Sequence, residues 1–66
     1  MNGTIKRVIK DKGFGFIECN HREYFFHISA LKNAKFQELK EGQEVTFEDV
    51  ESPRGLRAED IFVESL

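Results

Sequence analysis

The sequence predicts an all-β domain, a small closed barrel of five short antiparallel strands. Three observations carry that expectation. Short runs rich in β-branched and aromatic residues alternate inward and outward with a period of two. Turn residues separate these runs at hairpin distance, except for one long crossing at positions 32–40. The chain has 66 residues, enough for one domain, 1–66, and a single marginal core.

Gly3 to Lys10 reads as the first strand, with Thr4, Ile5, Val8 and Ile9 supplying β-propensity. Alternation breaks at Val8-Ile9, which points to a bulge of the kind that curls sheets into barrels. Lys10-Asp11-Lys12-Gly13 is a polar turn ending in glycine. Phe14 to Cys19 is the second strand and Glu23 to Ile28 the third, with Asn20-His21-Arg22 as the turn between them. Ser29-Ala30-Leu31 reads as a single helical turn, and Lys32 to Lys40 is the long connection. Glu41-Gly42 is a turn. Gln43 to Glu51 is the fourth strand, with Val45 and Phe47 on one face. Ser52-Pro53-Arg54-Gly55 is a hairpin loop. Leu56 to Glu64 is the fifth strand, with Ala58, Ile61 and Val63 inward.

The second and third strands hold the informative chemistry. Side chains two apart share a face, so Phe14 and Phe16 point one way, Gly15 and Ile17 the other. On the third strand Phe25 and His27 share a face, opposite Tyr24, Phe26 and Ile28. A lone phenylalanine in a small β protein is ordinarily core. Adjacent Phe25 and Phe26 cannot both be, and Ile17, Tyr24 and Phe26 suffice to fill the interior. Phe14, Phe16, Phe25 and His27 then form one outward patch, a platform on which unpaired bases can stack.

Lys12-Gly13-Phe14-Gly15-Phe16-Ile17 resembles the first nucleic-acid motif of the bacterial cold-shock proteins, and Tyr24 to Ala30 resembles the second. The likeness runs on through Glu41-Gly42-Gln43, Val45, Phe47 and Arg54-Gly55-Leu56-Arg57-Ala58, over nearly the whole chain. The resemblance implies an OB-fold, whose second and third strands carry the ligand; periodicity alone also allows an SH3-like barrel. It implies single-stranded RNA or DNA as partner and an RNA chaperone as biological role. Phe36, on the polar crossing, either covers the barrel end or reaches the platform, and the resemblance favours the platform. Three departures stand out: Arg7-Val8-Ile9 where the family usually has Trp-Phe-Asn, Ile28 where it has Phe, and Leu56 where it has Pro.

Net charge is −2, which by itself speaks against a nucleic-acid binder. Its distribution answers this in part. Lys6, Arg7, Lys10, Lys12, Arg22, Lys32 and Lys35 lie in positions 1–35, whereas nine of the twelve acids lie in positions 38–66. Screening confines each charge to about 8–10 Å, so a basic stripe beside the aromatics acts locally. Lys6, Arg7, Lys12, Arg54 and Arg57 are the expected contacts to phosphates or base edges.

Catalysis is not expected: no nucleophile–base arrangement is readable, and Gly13-x-Gly15 lies on a strand rather than opening a helix. Nor is a metal or other cofactor, since Cys19-x-His21 supplies two ligands and there is no second cysteine. A single cysteine fits a reducing cytoplasm. No apolar run approaches the ~20 residues of a membrane span. A small-molecule substrate is not expected, and a monomer is. The rivals are a protein-interaction barrel that uses the aromatic face, and a ribosome-associated S1-like RNA-binding barrel.

Overall fold

In the computed structural model, which describes residues 1–64, five strands form where the alternating runs lie. They are β1 (Asn2–Ile9), β2 (Phe14–Cys19), β3 (Arg22–His27), β4 (Glu44–Ser52) and β5 (Gly55–Val63). Their order, β1-β2-β3-β5-β4, closes on itself through β1 and β4. This is the OB arrangement. Four seams are antiparallel, as expected. The fifth is parallel: Phe25 of β3 pairs with Arg57 of β5, and Leu31 bridges Ile61 beyond it.

Inward residues fill the barrel. Phe26, Ile5, Ile17, Ile61 and Val45 are fully buried, and Ala58, Val63 and Phe47 join them, as expected. Gly15 faces inward in β2, where an added Cβ would lie 2.5 Å from the Arg7 carbonyl oxygen and 2.7 Å from Phe26 Cζ. Its missing side chain lets the Phe26 ring and the β1 backbone close over it. Leu39, on the crossing, is also core at 2% exposure, a residue that no strand pattern marks.

The bulge in β1 falls between Ile5 and Arg7, not at Val8-Ile9. Lys6 is the extra residue, and it resets the phase of the strand. Ile5 is buried, Arg7 then faces out opposite Phe16, Val8 turns in against the core, and Ile9 stands opposite Phe14. A second irregularity, with Asp60 at φ 49°, resets β5 so that Ala58 and Ile61, three apart, both point inward.

The β2–β3 turn is two residues long, and both Asn20 and His21 take positive φ, at 53° and 65°. That is the twist-matched hairpin geometry. The β4–β5 loop is likewise only Pro53-Arg54, because Ser52 and Gly55 already pair as strand residues. Ser52 Oγ donates to the Gly55 carbonyl at 2.8 Å and accepts from Arg54 N–H at 3.3 Å.

Ile28 corrects the expected third strand. It does not point inward with Tyr24 and Phe26 but opens a short 3-10 turn, Ile28–Ala30, and is 43% exposed. His27 caps that turn: its Nδ1 accepts from Ser29 N–H at 3.2 Å. A second 3-10 turn, Phe36–Glu38, interrupts the crossing. Asn33 seals the barrel there. Its side-chain amide donates to the Val63 carbonyl at 3.0 Å and its Oδ1 accepts from Val63 N–H at 2.8 Å, imitating a strand rung.

Candidate nucleic-acid interface

The β2–β3 register sets Phe14 opposite His27 and Phe16 opposite Phe25, so all four rings share the outer face. Phe14, Phe16 and Phe25 are half-buried, and His27 is exposed. The three phenylalanine centroids form a near-regular triangle. Phe14 and Phe25 lie 5.4 Å apart with planes tilted by 36°, while Phe16 meets both edge-on at 6.0 Å. Each ring thus supports its neighbours and still presents carbon surface to solvent.

His27 is held in one tautomer by its cap. Nδ1 accepts a backbone N–H, so in the neutral ring Nε2 carries the proton. Nδ1 also lies 3.1 Å from Ser29 Oγ. The cap thus holds the ring on the outer face, opposite Phe14.

The expected cations divide by their partners. Lys6 forms an ion pair with Glu23 of β3 at 2.9 Å. Hydrogen bonding and charge attraction from Glu23 hold its ammonium above the ordinary lysine pKa of 10.5. Lys10 donates to the Gln37 carbonyl at 2.8 Å. Arg7, Lys12 and Arg54 are exposed, and none of them has an ion-pair partner among the described residues. Arg57 lies with its guanidinium 5.8 Å from the Phe25 centroid. Its Nε is 3.1 Å from a Glu59 carboxylate oxygen.

Phe36, expected on the platform, stands on the 3-10 turn of the crossing. It packs edge-on against core Phe26 at 6.5 Å and lines a cleft of about 450 Å³ with Lys10, Gly13, Ile28 and Lys35. The crossing brings the ring over Phe26 and beside Gly13 and Ile28, the residues that flank Phe14 and His27 in sequence. A separate cleft of about 320 Å³ opens between Phe16 and Phe25 on one side and Ser52, Arg54, Leu56 and Arg57 on the other.

Sequence reasoning did not assign Ile9 to this face, where it stands beside Phe14. Its spacing of two from Arg7 is the signal that was available. Glu59, the partner of Arg57, carries the same signal. Among the described residues no three His, Cys, Asp or Glu side chains gather as a metal site, and no helix is long and apolar enough to cross a membrane.

A family model described as the 'Cold-shock' DNA-binding domain matches residues 1–63. Cold shock-like protein CspB of Bacillus cereus is 44% identical over 62 residues, covering 92% of this chain and 95% of that protein. Cold shock-like protein CspLB of Listeria monocytogenes is 47% identical over 60 residues, covering 89% and 91%. Among solved structures, one described as drosophila Unr CSD456 superposes with a TM-score of 0.74 at 27% identity. That match covers 98% of this chain and 28% of the other.

Proposed function

The chain belongs to the family of cold-shock DNA-binding domains, and on that premise we propose that it binds single-stranded RNA or DNA with little sequence preference. The observation that carries this reading is the triangle of half-exposed rings on one face of β2 and β3. Exposed aromatic carbon costs a small domain solubility and offers the unpaired base a π-surface in return. Bases stack on Phe14, Phe16, Phe25 and His27. Arg7, Lys12, Arg54 and Arg57 ring this face and meet phosphates or base edges. Lys6, already paired with Glu23, is the weakest of the expected contacts.

A duplex binds poorly in this scheme, because its bases already stack on one another. A strand held on the barrel cannot re-pair, so RNA hairpins melt without an energy source, which is the chaperone role. One chain is enough for the site as built. The test is a gel shift with matched single-stranded RNA, single-stranded DNA and duplex at two salt concentrations. Single strands shift and duplex does not, with affinity falling as salt rises. Unchanged mobility of every single strand at high protein concentration refutes the reading and favours a polypeptide partner for the same face.

A further inference from the structure

The cleft between the platform and the β4–β5 hairpin holds an arginine in an unusual setting. Three contacts fix Arg57. Its backbone pairs with that of Phe25 across the parallel seam. Its guanidinium lies over the Phe25 ring, 5.8 Å from the centroid. Its Nε is 3.1 Å from Glu59 Oε2. The angle at that contact is not that of a hydrogen bond, and Nε is shut off from solvent without an acceptor. The side chain as a whole is 41% exposed, so its solvent contact comes from atoms other than Nε. Neither Nη1 nor Nη2 makes a hydrogen bond among the described residues.

A guanidinium presented this way offers two parallel N–H donors in a fixed fork. Because Phe25 and Glu59 already hold the side chain, little rotamer freedom remains to be lost on binding. The matching ligand is a base edge with two adjacent acceptors. Guanine has one in O6 and N7, and cytosine has one in O2 and N3. In adenine N1 and N7 each sit beside the N6 amino donor, and N3 stands alone. In uracil and thymine an N–H separates the two carbonyls. A cleft of about 320 Å³, walled by Phe16 and Phe25, has room for one base lying against a ring.

We propose that this cleft is a base-selective subsite in which Arg57 reads guanine or cytosine, with Glu59 as its positioning residue. The inference rests on the single-strand reading above and adds a preference to it. The platform accepts any base; the arginine fork accepts two of the four.

The experiment compares fluorescein-labelled heptathymidine with versions carrying one central guanine, cytosine or adenine, by anisotropy at a fixed salt concentration. The chain can slide, so the favoured base finds the cleft. The guanine or cytosine strand, or both, binds about tenfold tighter than the thymine and adenine strands, within the range of one bidentate contact at a partly exposed site. Arg57→Lys keeps the charge but loses the fork, and all four strands then bind alike, whatever their shared affinity. Glu59→Gln shrinks the ratio of guanine or cytosine affinity to thymine affinity, a ratio in which the general gain from losing a carboxylate cancels and which a merely structural role does not move. Equal binding of the four strands by the parent overturns the proposal and leaves the single-strand reading standing. So does a preference that survives Arg57→Lys. Failure to bind any strand overturns both.

Discussion

Phe25→Leu separates the platform's two roles, because leucine keeps apolar volume and removes the ring face. Phe25 is the corner of the triangle that also meets an arginine, with Phe14 at 5.4 Å, Phe16 at 6.0 Å and the Arg57 guanidinium at 5.8 Å. Each aromatic pair is worth about 0.5–1.5 kcal/mol beyond burial, and an exposed cation–π contact about 0.5–1 kcal/mol. Leucine recovers part of this through its own packing, so the net loss of stability is about 1–2 kcal/mol. For a domain of this size each kcal/mol lowers Tm by about 4–8 °C. With a parent Tm in the usual range of about 45–65 °C, a variant melting about 5–15 °C lower is still folded at 20 °C. Loss of one stacked base costs about 1–3 kcal/mol, a roughly 5- to 150-fold weaker Kd. Anisotropy with labelled heptathymidine at low salt reads the second quantity, and thermal melting by circular dichroism reads the first. A folded variant that binds as the parent does refutes the reasoning, since then no base rests on Phe25. The half-buried state of these rings also means that truncating Phe14 or Phe25 to alanine costs stability, more than an outward ring suggests from sequence.

The core behaves in the opposite way. Ile17→Ala, at a position with no exposure, loses about 2–5 kcal/mol of stability, while its folded fraction keeps the parent's affinity; an unchanged melting curve contradicts the inward placement. Gly15→Ala forces a Cβ against the Arg7 carbonyl and Phe26, so β1 must shift from β2 at a cost of at least about 1–3 kcal/mol; chemical denaturation measures it, and native stability refutes the close approach. Arg7→Trp trades a cation for a ring opposite Phe16. The slope of log K against log salt becomes shallower by about 0.7 and high-salt affinity rises; parallel lines for parent and variant mean that Arg7 touches no phosphate. Lys6 has its folded pKa raised by Glu23, so its contribution is whole below the ordinary 10.5 and disappears as pH climbs through the folded value. In an NMR titration Lys6 Nζ deprotonates later than in Glu23→Gln; identical titrations exclude the pair.

The sequence by itself determined the strands, the part of the core that strands carry, and the faces of β2 and β3. Their side-chain period is two, and adjacent Phe25 and Phe26 can only be divided between inside and outside. The tertiary structure decided what depends on phase and on long-range closure. A one-residue bulge at Lys6 puts Arg7 and Ile9 beside the rings, and alternation alone does not locate such an insertion. Phe36 and Leu39 sit on a crossing without a period, so only the closed barrel end shows Phe36 packed on Phe26 and Leu39 in the core. Which cations stay free was equally illegible. Lys6 meets Glu23 across 17 positions of sequence, and Arg57 reaches Phe25 only because β3 and β5 meet in parallel. Local pattern fixes which way a side chain points; its partner is fixed by where the chain returns.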